Sequence, residues 1–210
     1  MRPDIVLDRF STAHGTVAIV ELTDERVASV LASLPEAEQA HAQSFSGARR
    51  REVIAGRAAL HAALAPDHDD AAILADDRGA PVLPAGWFGS VSHKGTRAAA
   101  LVAPAGDARI GVDLELARAP RQDIASRILT PRELAQLTDR GLGATLRFSI
   151  KEAIYKAVDP FVRRYVAFTE VELDVVDGVA HVTSELPFVI ETTWREHAGF
   201  WLATARAYAR

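Results

Sequence analysis

The chain has 210 residues, of which 49% are hydrophobic and 25% charged, so one large or two small packed domains are expected. Its net charge of −4 opposes nucleic-acid binding through bulk positive charge, and the absence of cysteine excludes disulfides and thiolate metal sites. The sequence has no apolar run near the roughly 18 residues of a membrane span and no signal peptide at its start, so we expect a cytoplasmic monomer with no nucleic-acid or membrane partner.

The first half of the chain mixes predicted strands with predicted helices. β-branched and apolar residues favour strands at four places, which are residues 16–22, 71–74, 87–92 and 98–103. Helical periodicity occurs at three places, which are residues 24–34, 36–45 and 49–64. An acidic loop is predicted at 67–70, and His93 is predicted to begin a turn between two strands.

The second half repeats this mixture. Strands are predicted at residues 110–116, 171–176, 179–182, 188–193 and 200–207. Helices are predicted at residues 122–128, 131–137 and 146–158, and Pro160 should end the last of them. Asp177-Gly178 is a strong hairpin signal. With a boundary inside 104–107, the chain is expected to be α+β, with similar pseudo-symmetric halves at 1–105 and 106–210, each a small, mostly antiparallel sheet packed with helices.

One predicted strand carries two carboxylates on the same face. Asp113 and Glu115 are two residues apart, and side chains two apart on a strand point the same way. Hard oxygen ligands of this kind suit Mg²⁺. An edge strand with a solvated acidic face explains the same pattern, so both interpretations remain open at this point.

The helix predicted at 146–158 carries a second charged group. Its apolar residues recur at helical spacing, while Glu152 and Lys156 lie on the opposite side, one turn apart. An ordinary surface pair with this spacing stabilises a helix by about 0.2–0.5 kcal/mol and is the simplest alternative.

Together, these two segments resemble the signature of the 4′-phosphopantetheinyl transferases. Gly111-Val112-Asp113-Leu114-Glu115 matches the pattern Gly-(Ile/Val)-Asp-x-Glu, and the segment from Phe148 to Lys156 matches (Phe/Trp)-x-x-Lys-Glu-(Ala/Ser)-x-x-Lys. Further likeness is found at Gly89 to His93, in the basic segment from Arg49 to Leu60, and at the turn from Asp77 to Pro81. The chain is most similar to the monomeric two-half type, which serves secondary-metabolite and siderophore synthases.

The resemblance implies transfer of the 4′-phosphopantetheine arm of coenzyme A to a serine of an apo acyl, peptidyl or aryl carrier protein. Adenosine 3′,5′-bisphosphate would leave, and the active site would lie between the halves. The implied Mg²⁺ ligands, with Mn²⁺ as an alternative ion, are Asp113, Glu115 and Glu152. Lys156 and Lys151 would contact the pyrophosphate.

Glu133 is a candidate for accepting the proton of the carrier serine, because the family has a carboxylate on the helix between its two motifs. A first-turn acid that complements the helix dipole explains Glu133 equally well. A metal-bound water or Glu152 could serve instead.

Arg57 is informative without any family, because it lies on an apolar helical stripe and needs an anion or extensive pairing there. A snorkelling side chain is the alternative. The resemblance favours binding of the coenzyme A 3′-phosphate, with Arg49, Arg78, Ser92 and His93 as companions.

Three rival functions fit less well. A Mg²⁺ nuclease would need Glu-x-Lys, but Ala117 stands two residues after Glu115, and no P-loop motif is present. A non-catalytic coenzyme-A-binding or carrier-binding module predicts loss of the three acids, yet all three are intact.

Overall fold

The computed structural model describes residues 4–64 and 71–210, so the acidic loop predicted at 67–70 lies outside the described residues. The chain divides into two units, Met1–Ala105 and Gly106–Arg210. Each unit has an antiparallel sheet packed with helices, and the predicted α+β class is confirmed. No helix in the described part of the chain is both long and apolar enough to cross a membrane.

The first unit is built on a four-stranded antiparallel sheet. The strands of this sheet are β1 (Val6–Thr12), β2 (Gly15–Glu21), β5 (Trp87–Lys94) and β6 (Arg97–Pro104). Two short strands, β3 (Leu74–Ala75) and β4 (Pro81–Val82), form a separate two-stranded ribbon. The order in the sheet is β1-β2-β6-β5. The edge strand β1 was not predicted from the sequence, because its residues are mostly exposed, partly charged and lack a clear apolar alternation.

Three helices follow β2, namely α1 (Val27–Ser33), α2 (Glu36–Gln43) and α3 (Gly47–Ala63). The long helix α3 packs its buried face, including Ile54 and Leu60, against the small residues of β6. Nε of Arg9, on β1, donates to the carbonyl of Ala62 at 2.9 Å, which satisfies an orphan carbonyl at the end of α3. These contacts fix α3 on the sheet.

His93 lies inside β5 and not in a turn as predicted. The β5–β6 hairpin turns two residues later, where Gly95 has a φ of 63° that favours glycine. As a result, Ser92 and His93 point to opposite faces of the sheet, and Ser92 is buried.

The second unit is built on a five-stranded antiparallel sheet. Its strands are β7 (Arg109–Leu116), β8 (Val171–Val176), β9 (Val179–Ser184), β10 (Phe188–His197) and β11 (Phe200–Ala209). The order is β7-β11-β10-β9-β8, which leaves β7 and β8 at the two edges. The hairpin predicted around Asp177-Gly178 is confirmed, and Gly178 has a φ of 74°.

The second unit has two short helices, α4 (Ala125–Ile128) and α5 (Pro131–Ala135), and one long helix, α6 (Arg140–Val162). The helix α6 begins six residues before the predicted start, because the side chain of Asp139 caps it. It also continues past Pro160, which was predicted to end it. Pro160 sits in the last turn, where the missing N–H removes only one hydrogen bond, and Arg163 closes the helix in the left-handed region.

The strand β7 and the helix α6 are in direct backbone contact at Gly111. A Cβ atom at this position would lie 1.9 Å from the carbonyl oxygen of Ala153 and 2.9 Å from the amide nitrogen of Ala157. Glycine on the strand and alanine on the helix therefore allow the two elements to approach closely. This contact places the acidic end of β7 beside the middle of α6.

Candidate active site

A carboxylate and a lysine form the centre of the β7–α6 contact. Asp113 is buried, and both of its oxygens accept hydrogen bonds: Oδ2 from Oγ of Ser149 at 2.8 Å, and Oδ1 from Nζ of Lys156 at 3.0 Å. Nζ of Lys156 also donates to the carbonyl of Val112 at 2.8 Å. The ammonium group is thereby oriented while its side chain stays 26% exposed, so its third N–H can reach a ligand.

Two further carboxylates, Glu115 and Glu152, belong to the same group of charges as Asp113. Burial raises the pKa of Glu152, and the negative charges of Asp113 and Glu115 raise this pKa further, while Lys156 opposes the shift. Glu115 accepts a hydrogen bond from the amide of Leu116 at 2.8 Å. Like charges that repel in this way are stabilised by a cation between them.

The chemistry of these donors fits a hard divalent cation. Asp113, Glu115 and Glu152 offer only oxygen ligands, as Mg²⁺ prefers. However, no group of three or more His, Asp or Glu side chains in the described residues is arranged closely enough to hold a metal. The donor types therefore fit, while the complete ligand set remains a proposal.

Lys151 lies in the interior, although it is next to Glu152 in the sequence. Its residue surface is 3% exposed, and Nζ donates to the carbonyls of Ile128 and Phe168, each at 2.9 Å, and to Oε2 of Glu133 at 2.7 Å. Burial lowers the pKa of Lys151, and the hydrogen bond to Glu133 opposes this effect. All three N–H groups are used within the protein, so a structural role replaces the predicted phosphate contact.

Glu133 is fully buried, and its hydrogen bonds oppose the predicted role as general base. Its Oε2 accepts from the amide of Thr130 at 2.7 Å and from Lys151, and its Oε1 accepts from the amide of Leu173 at 3.0 Å. Leu173 lies on the edge strand β8, so this carboxylate also satisfies an N–H at the sheet edge. A general base must reach the proton that it removes, and this carboxylate faces the interior.

The first unit contains a buried arginine whose Nε has no hydrogen-bond partner among the described residues. Arg57 is 6% exposed, and its Nε lacks a partner among these residues. Burial lowers the pKa of Arg57, the negative charge of Glu38 opposes this, and the positive charge of Arg49 adds to the lowering. A buried guanidinium with an unsatisfied N–H is expected to bind an anion.

Arg49 and His93 of this unit lie close together. A guanidinium nitrogen of Arg49 is 3.4 Å from Nε2 of His93, and a carboxylate oxygen of Glu52 lies 3.3 Å from Arg49 and 3.6 Å from His93. Since Arg49 acts electrostatically on Arg57, these residues form one basic cluster, which we define as Arg49, Arg57 and His93. Glu52 competes with any anion for two of its members.

Two family models match non-overlapping parts of the chain. The 4′-phosphopantetheinyl transferase N-terminal domain matches residues 36–103, and the 4′-phosphopantetheinyl transferase superfamily matches residues 109–205. The chain belongs to the 4′-phosphopantetheinyl transferase superfamily. The first match contains the basic cluster, and the second contains the carboxylates and lysines of β7 and α6.

Individual proteins and a solved structure are similar to parts of this chain. The 4′-phosphopantetheinyl transferase Npt of Nocardia iowensis is 38% identical over 139 residues, which cover 63% of each chain. Enterobactin synthase component D of Escherichia coli K12 is 36% identical over 115 residues, covering 52% of this chain and 54% of the relative. A crystal structure of holo-(acyl-carrier-protein) synthase from Bacillus anthracis has a TM-score of 0.40 at 22% identity, covering 49% of this chain and 96% of that chain. This chain thus spans less than two thirds of its curated relatives.

Arg78 and Ser92 are the two remaining residues of the first unit that the resemblance predicts to bind coenzyme A. Arg78 is exposed in the turn between β3 and β4, and its amide donates to Oδ1 of Asp76 at 2.8 Å. Ser92 is buried in β5. Their roles in binding coenzyme A stay predictions.

Two polar residues beside these candidate sites, Ser149 and Glu52, were not predicted from the sequence. Ser149 holds Asp113, and it lies seven residues before Lys156, so two helical turns place both on one face of α6. That spacing could have identified it. Glu52 carries no comparable signal, because its approach to His93 depends on the packing of α3 against β5.

Proposed function

We propose that this chain transfers the 4′-phosphopantetheine arm of coenzyme A to a serine of an apo carrier protein and releases adenosine 3′,5′-bisphosphate. The observation that carries the proposal is the joining of the two family motifs in one place, where Ser149 and Lys156 of α6 hold Asp113 of β7. Membership of the superfamily and the similarity to Npt and to enterobactin synthase component D support it. The acceptor is an acyl, peptidyl or aryl carrier protein.

Lys156 is the residue that we assign to the pyrophosphate. Two of its N–H groups are directed by Val112 and Asp113, and the third can donate to a phosphate oxygen. When the serine oxygen attacks the β-phosphorus, the bond between that phosphorus and the bridging oxygen breaks, and negative charge develops on the departing α-phosphate. An ammonium group held in advance stabilises that charge without reorganising.

Asp113, Glu115 and Glu152 are the residues that would hold Mg²⁺, or Mn²⁺ in its place. When bound, the ion supplies Lewis-acid stabilisation of the pyrophosphate oxygens. Of these three carboxylates, Asp113 is held in place by hydrogen bonds from Ser149 and Lys156. Glu152 is half-buried. Burial raises the pKa of Glu152, and repulsion from Asp113 and Glu115 raises it further; a cation between these carboxylates would relieve that repulsion, which supports the assignment.

The basic cluster of Arg49, Arg57 and His93 is the group to which we assign the 3′-phosphate of coenzyme A, with Arg78 and Ser92 as further candidates. A phosphate oxygen would supply the partner that Nε of Arg57 lacks among the described residues. The expectation that both halves contribute to one active site stays a prediction. We also propose that the protein acts as a cytoplasmic monomer without nucleic-acid or membrane partners, in keeping with its acidic net charge.

The decisive experiment incubates the protein with coenzyme A, Mg²⁺ and a panel of apo acyl, peptidyl and aryl carrier proteins, and reads intact mass. A mass gain of one phosphopantetheine on a carrier is expected, and it should disappear when the metal is chelated. Binding of coenzyme A without transfer to any carrier would instead support a non-catalytic binding module.

Glu152→Gln tests the site within the same assay. The variant is expected to lose at least about a hundredfold in rate, because one of the three carboxylates proposed to hold the metal ion loses its charge. Glu196→Gln, an exposed glutamate of β10 in the same unit, is the matched control and should transfer at the unmodified rate. Equal rates for both variants would refute the assignment of Glu152.

A further inference from the structure

The first unit contains a buried carboxylate that neither family motif includes. Glu38 on α2 is fully buried, and its Oε1 lies 2.8 Å from Nε2 of the buried His61 on α3. The same oxygen accepts a hydrogen bond from the backbone amide of Ile73, which precedes β3. Glu38 therefore ties together α2, α3 and the chain segment that leads into the β3–β4 ribbon.

The second unit contains an arrangement of the same kind around Glu133. This glutamate lies on the short helix α5, it binds Lys151 of the long helix α6, and it accepts from the amide of Leu173 farther along the chain. In both units, a short helix supplies the glutamate, the next long helix supplies a nitrogen-bearing side chain, and a later segment supplies a backbone N–H. Each long helix also carries residues that we assign to binding the phosphates of coenzyme A.

Glu38 acts electrostatically on Arg57. His61 follows Arg57 by four residues, so both side chains lie on one face of α3, one turn apart. The charge of Glu38 opposes the lowering of the Arg57 pKa by burial. Nε of Arg57, Nδ1 of His61 and Oε2 of Glu38 are all buried without a partner among the described residues. Glu38 is thus in direct contact with His61, and Arg57 lies one helical turn from His61 on the same buried face of α3.

We infer that Glu38 is a positioning residue for Arg57. It holds α3 through His61, and its negative charge stabilises the buried guanidinium in the orientation that receives the 3′-phosphate of coenzyme A. This inference rests on the proposed function and adds to it a residue outside the substrate contacts. Without the carboxylate, the burial of Arg57 is no longer compensated, and the guanidinium is expected to move toward solvent.

The test compares coenzyme A with 3′-dephospho-coenzyme A as donors, since only the first has the phosphate that Arg57 would bind. Glu38→Gln is expected to lower the preference in kcat/KM for coenzyme A about tenfold, the order of one charged hydrogen bond, while the rate with the dephospho donor is kept. Glu36→Gln, an exposed glutamate on the same helix, is the matched control and should keep the preference.

An equal loss with both donors, or an unchanged preference in folded Glu38→Gln, would overturn the inference, because a purely structural role does not distinguish the two donors. If Glu38→Gln does not fold, His61→Gln replaces it and should change the preference in the same direction. If the unmodified protein transfers from neither donor, the proposed function fails. The inference is then decided by calorimetry, where Glu38→Gln should reduce the preference for adenosine 3′,5′-bisphosphate over AMP, and an unchanged preference would refute it.

Discussion

Nζ of Lys151 lies 2.7 Å from Oε2 of Glu133, and the exposed fractions of the two side chains are 2% and 0%. Lys151 adjoins Glu152, which is half-buried at the candidate active site. Successive residues of an α-helix point about 100° apart, so Lys151 can face the interior while Glu152 faces the candidate active site. The buried pair ties α6 to α5, and this explains why the motif contains two lysines with different surroundings.

Replacing each of two buried cations of α6 by methionine should have different effects on the free energy of unfolding. Arg147 lies one turn before Lys151, makes one long hydrogen bond of 3.4 Å to Gly143, and has an Nε without a partner among the described residues. Lys151→Met removes the ion-pair partner of the buried Glu133 and should lower the free energy of unfolding by about 3–5 kcal/mol. Arg147→Met removes a cation with few hydrogen bonds, and the free energy of unfolding should change by less than about 1 kcal/mol or increase. Urea denaturation measures both, and losses of equal size would contradict this account.

The pH profile of Glu133→Gln should decide between positioning and proton transfer. Because the carboxylate is enclosed by three donors, we expect kcat to stay within about tenfold and the acidic limb of its pH profile to keep its midpoint. A general base would give a loss of about 10²–10⁴-fold and remove that limb. Rates are normalised to the folded fraction, since breaking the pair with Lys151 lowers stability.

Gly111→Ala should disrupt the active site through packing alone. The added Cβ would meet the backbone of Ala153 at 1.9 Å, so β7 and α6 must separate. We expect a loss of about 3 kcal/mol or more in the free energy of unfolding, together with lower transferase activity, because the Asp113–Ser149 hydrogen bond spans the same contact. Gly106→Ala, which has open space around the added atom, is the control and should leave stability and rate unchanged.

The ion pair after α6 should make stability depend on pH in the acidic range. Two hydrogen bonds from Arg164 and one from the amide of Ala167 lower the pKa of Glu170 from 4.5 to about 2. A carboxylate whose pKa is lowered by folding stabilises the protein above its unfolded pKa, and this contribution is lost as the pH falls from 4.5 toward 2. Glu170→Gln should therefore be less stable than the unmodified protein at neutral pH and should converge with it near pH 2. Glu185→Gln, at an exposed position, serves as control, and an identical pH dependence of the two variants would refute the assignment.

Much of the fold was predictable because its signals are local. Asp177-Gly178 specifies a tight hairpin, and the apolar stripe around Ile150 specifies a helix, with no information from distant residues. The errors lie where local rules conflict with packing. Pro160 is accepted in the last turn of α6, and His93 stays in β5 because the pairing with β6 continues to Lys94.

The sequence by itself determined the family, the acidic strand and the lysine helix, and it predicted that Arg57 needs an anion. Only the tertiary structure decided which charged side chains face the interior. The partners of Lys151 come from residues 128, 133 and 168, and those of Glu38 come from residues 61 and 73. Helical period and motif spacing specify the face on which a side chain lies, but burial and hydrogen bonding depend on chain segments that only the folded structure brings together.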